Sequence, residues 1–336
     1  MKINEVGIKE NYQNLIDKDI LSLLLKDRSS NKNIIWATNN YSDLGSSYKS
    51  DEEITTKLIS KEIIKLRIEK QKKEQQYRIK QKAEVFTPSY ICNNQNNLID
   101  DAWFGYKNVF NTIKDKTWIT NKNKIIFPKA KTWMDYVKLN RMEITCGEAP
   151  YLVSRYDTTT GEFIEPYNRI GLLDRKIRVI NENIDDESLW VEWVYKAYKA
   201  TYGYEWQGDN LLIARKNLLF SFIDYYYEKF QNYPIKQYLK EIAKILSWNL
   251  FQMDGLKFVI PNSCKLQESI QQMTLFNNGD ELVFSKENIE EKCQECEACL
   301  KNNNKKHNGI YCKIMDWDKK RSIRFISLFN KGSNNE

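Results

Sequence analysis

The stretch from residue 189 to 252 restricts the fold more than any other. It contains LWVEWVYKAYKATYG (189–203), NLLIARKNLLFSFIDYYYEKF (210–230) and QYLKEIAKILSWNLFQ (237–252). In each, apolar residues recur at i, i+3 and i+4, the period of a helix with one buried face. Strand-like pieces follow: YGYE ends in Glu205, and NLFQMD ends in Asp254. Helices alternating with short strands belong to an α/β fold. With 336 residues, 41% of them hydrophobic, the chain can bury a sizeable core.

The rest of the chain is less uniform. DKDILSLLLK (17–26) predicts a short amphipathic helix, and NIIWATNNY (33–41) a buried strand and turn. Residues 51–83 carry the pattern of one long helix whose second half is rich in Lys and Arg. That face either lies along phosphates or is simply solvated. Proline disfavours helix in the residue before it, so the pattern breaks at Phe86-Thr87-Pro88. Trp103, Phe104, Phe110 and Trp118 are expected in the core, and IRFISLF (323–329) as a strand. The division expected is an N-terminal helical region (1–83), a core (84–285) with an insertion at about 151–200, and a Cys-rich segment (286–336).

Charge and composition exclude several classes. Lys+Arg 52 against Asp+Glu 45 gives a net +7, compatible with a polyanionic partner such as DNA. A single histidine, His307, removes HExxH proteases and His-based triads elsewhere in the chain. Glu-x-Lys triplets of a metal-dependent nuclease occur, but a Lys/Glu-rich chain produces them by chance. No stretch reaches the roughly 18 apolar residues that span a bilayer, and the N-terminus lacks a signal-peptide core. A cytoplasmic location with reduced thiols is expected.

CQECEACLKNNNKKHNGIYC (293–312) therefore reads as ligands, not disulfides. Cys293, Cys296, Cys299 and Cys312, with His307 between, offer five donors for one tetrahedral zinc ion. Three evenly spaced cysteines also suit an iron–sulfur cluster. A closed site of this kind is structural and pins a segment with little core of its own.

RMEITCGEAP (141–150) reads as a strand that ends near Glu143 and a tight loop around Cys146 and Gly147. Loops after a parallel strand, and an acid ending the next strand, hold adenosine-type ligands in doubly wound sheets. KAEVFTPSYIC, EITCGEA, YGYEWQGDNLLIARKNL and NLFQMDGL, in that order, resemble N6-adenine DNA methyltransferases of the gamma arrangement. The likeness covers about residues 70–260 and is nearest to modification subunits of restriction–modification systems. It implies a Rossmann-like S-adenosylmethionine-dependent methyltransferase core, with an N-terminal helical segment and a C-terminal zinc-binding appendage. Phe86, Thr87 and Pro88 would border the methionine end of S-adenosylmethionine. Glu143, Cys146 and Gly147 would form its loop, Glu205 would hold the ribose and Asp254 the adenine.

The chain departs from the family at three points. Ile144 stands where the family has proline. Ala149 stands where it has a last glycine, which alanine can replace at a negative φ. The Asn/Asp-Pro-Pro-aromatic motif that presents the flipped adenine is absent, since no two of the six prolines adjoin. Catalytic residues are therefore unassigned. They come from a second protein chain, or the protein is an inactive DNA-binding or assembly subunit.

Overall fold

The computed structural model describes residues 15–59, 63–82, 84, 86–264, 296–301, 303 and 306–334. The first half contains α1 (Lys18–Leu25), α2 (Thr56–Ile59), α3 (Lys72–Lys82), α4 (Ser89–Phe104), β1 (Asn111–Lys114), β2 (Thr117–Thr120) and α5 (Trp133–Lys138). The second contains β3 (Arg141–Glu143), α6 (Leu172–Asn181), α7 (Glu187–Lys199), β4 (Thr201–Glu205), α8 (Gly208–Phe230), α9 (Lys236–Asn249) and β5 (Leu250–Gln252). After these come α10 (Glu297–Leu300), β6 (Lys313–Asp316) and β7 (Arg321–Arg324). The protein is mixed α/β.

The organising unit is a parallel sheet in the order β3-β4-β5. Arg141 is in register with Thr201, and Gly203 with Leu250. Each passage from one strand to the next runs through two helices, α6 and α7, then α8 and α9. Of these, α7, α8 and α9 are the helices that the apolar periodicity from residue 189 onward predicts, while α6 falls in the stretch read as an insertion. On one sheet face Tyr204 and Phe251 pack against Cys312, Ile314 and Phe325 of the C-terminal hairpin β6–β7. The larger core joins α1 and Trp36 to Trp190, Tyr198 and the apolar sides of α8 and α9.

Arg215, on α8 and fully buried, is a hub for that core. Its guanidinium donates to the carbonyls of Leu24 (2.6 Å) and Lys26 (3.1 Å) on one side, and of Leu250 (2.6 Å) on the other. Burial lowers its pKa to about 10. A buried charge without a carboxylate survives here because five N–H···O bonds replace its hydration.

Three expectations need correction. Residues 51–83 are not one helix: residues 63–66 are not helical, and a 3-10 turn spans Arg67–Glu69 before α3. Tertiary bonds override the periodicity there. Glu148 takes the N–H of Arg67 (2.8 Å), Glu69 takes that of Leu66 (3.0 Å), and Ile63 and Ile64 turn into the core. NIIWATNNY is extended and buried at Ile34 and Trp36 but forms no ladder. It makes isolated bridges from Asn33 to Lys26 and from Ile35 to Glu53. IRFISLF is a strand only to Arg324 and then coils as a 3-10 helix from Phe325. Phe104 and Phe110 are buried, whereas Trp103 and Trp118 are only partly so. Among the described residues no helix is long and apolar enough to cross a membrane.

Candidate functional site

At the carboxyl ends of β3 and β4 lies a cavity of about 680 Å³. Its size is that of an ordinary small-molecule site, and its position is where open parallel sheets bind ligands. The loop after β3 shapes it. Thr145 (φ 47°), Gly147 (φ 53°) and Ala149 (φ 65°) are left-handed, alternating with Cys146 and Glu148, which are not. Such alternation turns backbone N–H groups inward to cup an anion. Here the anion is Glu205, whose Oε2 accepts from the N–H of Gly147 at 2.9 Å.

The condition under which alanine replaces glycine without strain, a negative φ, is thus not met at Ala149. A Cβ in the left-handed region costs about 1–2 kcal/mol. The turn holds it there: Ala149 N donates to Cys146 O (2.7 Å), and Ala149 O accepts from Val153 N (3.0 Å).

Phe86 and Thr87 close the cavity from the other side. Phe86 lies against the loop, 3.8 Å from where a Gly147 Cβ would stand. The guanidinium of Arg67 sits 4.9 Å from the centre of its ring. The segment after β3 pins this wall: Thr158 Oγ1 donates to Thr87 O (3.1 Å), and Asp157 accepts from Ser89 N (2.7 Å) at the start of α4. The Asp157 hydroxyl and N–H partners outweigh its burial and hold its carboxyl at about 2.

Four glutamates line the cavity, Glu84, Glu143, Glu148 and Glu205, with Phe86, Tyr151 and Trp206 as aromatic walls. Among the described residues no Lys, Arg or His lines it. Glu143 accepts from Tyr151 N (3.3 Å) and Leu152 N (3.2 Å), and burial raises its carboxyl well above the usual range. Glu148 accepts from Arg67 N and from Tyr156 Oη (2.6 Å), and burial raises it too. Burial pushes Glu205 up to about 7, against the pull of N–H bonds from Gln207 (3.1 Å) and Gly147.

Of the residues singled out by sequence, Phe86, Thr87, Glu143, Cys146, Gly147 and Glu205 meet here. Pro88 does not line the cavity; it stands at the N-cap of α4. Asp254 does not either; its Oδ1 closes a turn by accepting from Leu256 N (2.9 Å) and Lys257 N (3.1 Å). Glu84 and Gln207, each two residues from a residue singled out, escape sequence reasoning because nothing local marks them.

A second constellation lies beside the C-terminal hairpin. The Sγ atoms of Cys264, Cys296 and Cys299 and a ring nitrogen of His307 all lie within 4.8 Å of one another. His307 Nδ1 is 3.7, 3.5 and 3.4 Å from the three sulfurs. Thiolates about 2.3 Å from a tetrahedral ion stand about 3.8 Å apart, so the set can hold a metal ion. Burial opposes ionisation of Cys296, but hydrogen bonds from Asn308, Cys299 and His307 bring its thiol down to about 6.

Cys312 is not a member. Its Sγ contacts Gln252 O at 3.2 Å inside the sheet core, and burial raises its thiol well above the ordinary value. It sits next to β6, which carries it away from His307. Cys293 lies outside the described residues. The fourth ligand is Cys264, thirty-two residues before Cys296 and too far in sequence to be read as part of the run. Gly309 permits the close approach of the two segments, since a Cβ there would stand 2.7 Å from Ser263 Oγ.

No protein-family model matches the chain, and no curated protein or solved structure is significantly similar to it. Its function rests on the two sites themselves.

Proposed function

We propose that the cavity binds S-adenosylmethionine and that the protein is an N6-adenine DNA methyltransferase-like subunit of a restriction–modification or related defence system. One observation carries the reading: among the described residues, four glutamates and no cation line a nucleoside-sized cavity at the strand ends. Phosphate-bearing nucleotides would meet carboxyl groups and no cation among the described lining residues. A nucleoside with a sulfonium, an ammonium and hydroxyl donors meets acceptors. The three-stranded parallel sheet, with the cupped loop after its edge strand β3, supports this reading by its ligand position at the strand ends.

In this reading Glu205 takes the ribose hydroxyls, and Phe86, Thr87 and the 145–149 loop enclose the sulfonium. When bound, the ligand supplies an electrophilic methyl group. This chain's residues orient it and exclude water around it. The exposed lysines of α3 (Lys72, Lys73 and Lys80) suit a DNA backbone, while Arg78 on the same helix turns inward to Asp209 at 2.8 Å. With no Pro-Pro pair, the acceptor base is presented by a second protein chain. The second reading, a binding or assembly subunit without catalysis, is favoured by that same missing motif. The Cys264, Cys296, Cys299 and His307 set holds zinc as a structural clip.

Isothermal titration with S-adenosylmethionine tests the site; no binding would overturn it. Methyl transfer to mixed-sequence duplex DNA, with and without the proteins encoded beside this one, separates the two readings.

A further inference from the structure

Acceptor atoms in the cavity are not equally committed. Both carboxylate oxygens of Glu143, of Glu148 and of Glu205 already accept a protein N–H or O–H. Glu84 differs. Its Oε2 accepts from Arg78 Nε and faces Gln207 Nε2 at 3.4 Å, while its Oε1 is buried with no partner. Gln207 has the same imbalance, with a buried and unpartnered Oε1. Turning the Gln207 amide over would not cure this, because its oxygen would then face the Glu84 carboxylate. Two unsatisfied acceptors therefore lie close together, on residues that line the cavity, with Arg78 Nε committed to Glu84, its Nη2 to Asp209, and its Nη1, which makes no hydrogen bond, 3.9 Å from Glu74.

Buried acceptors left unmade are costly, and neither residue can serve the other. A ligand that completes the pair brings donors from the cavity side. An ammonium carries three N–H groups on one atom and a positive charge for a carboxylate in a cavity without cations. A hydroxyl brings one donor and no charge.

We propose that Glu84 and Gln207 together seat the ammonium group of an amino-acid tail on the ligand, which makes the cavity selective for amino-acid-bearing nucleosides. This rests on the S-adenosylmethionine reading. Glu84 becomes the residue that distinguishes the complete ligand from its tail-less fragment.

The test compares three ligands by titration on the full chain: S-adenosylmethionine, S-adenosylhomocysteine, and 5′-methylthioadenosine, which keeps the nucleoside and sulfur but lacks the tail. Glu84→Gln should weaken the first two by about 10- to 100-fold, the effect of losing a charge-assisted hydrogen bond. It should leave methylthioadenosine within about twofold, which also shows that the variant is folded. Gln207→Leu, which keeps the N–H that Glu205 accepts, should show a smaller loss with the same selectivity. Equal weakening of all three ligands in the folded variants would assign the pair to the nucleoside hydroxyls and overturn the proposal, as would no weakening. A wild-type protein that binds none of the three removes the cofactor reading itself, a separate failure.

Discussion

Glu205 offers the sharpest test of the site, because its carboxyl titrates in an accessible range. Burial raises it to about 7 from an ordinary value of 4.5. A donor ligand prefers the carboxylate, so binding should strengthen as pH rises toward 7. About one molecule in thirty is ionised at pH 5.5 and about half at pH 7, which predicts about a 15-fold gain in affinity. Below pH 7 an amino-acid ammonium stays protonated, so the ligand contributes little to this slope. Stability of the ligand-free protein moves the other way. The folded carboxyl is the weaker acid, so the stability it contributes is complete below pH 4.5 and lost as pH rises through about 7. Between pH 5.5 and 7 that loss is about 1.5 kcal/mol. Glu205→Gln cannot ionise. It should flatten both slopes while still accepting the N–H of Gly147. Titration calorimetry and urea unfolding at the two pH values, on wild type and variant, measure both. If the variant kept the wild-type pH slopes, the burial argument for Glu205 would fail.

Other consequences follow from geometry. Zinc analysis of purified protein should give one ion per chain, lost in Cys264→Ser or Cys299→Ser and kept in Cys312→Ser; the reverse pattern would restore the ligand set read from spacing. Gly208→Ala should cost about 2–3 kcal/mol in urea unfolding, because its Cβ would stand 2.0 Å from the carbonyl oxygen of Ile35. Ala149→Gly should gain up to about 1 kcal/mol by relieving a positive φ; a loss measured by thermal unfolding would show that the Ala149 methyl packs better than its backbone suffers.

What sequence revealed and what it hid divide along a physical line. Strand ends at Glu143 and Glu205 were legible because each combines an apolar run, an abrupt acid and a glycine-bearing turn. Helices α7, α8 and α9 were legible because periodicity records which face is buried. The break in residues 51–83 was hidden, since its cause is a carboxylate eighty-one residues away taking the N–H of Arg67. The role of Arg78 was hidden likewise: among the lysines of a basic helix nothing marks the arginine that turns toward Asp209. In the Cys/His cluster, local spacing pointed to Cys296, Cys299 and His307, which the structure does gather. It could not show that β6 draws Cys312 into the sheet core while Cys264 returns from upstream. Ala149 shows that a loop's hydrogen bonds can hold a residue where its own Cβ objects.

Arg215 also sets an order of events during synthesis. The carbonyls it gathers from Leu24 and Lys26 are made 191 and 189 residues before it. At about 5–20 residues per second, the amino-terminal arm waits roughly 10 to 40 s on the ribosome before its partner exists. Until then Ile20, Leu24 and Ile34 have no α8 to cover them. The arm thus stays open, in need of shelter, until α8 has been made.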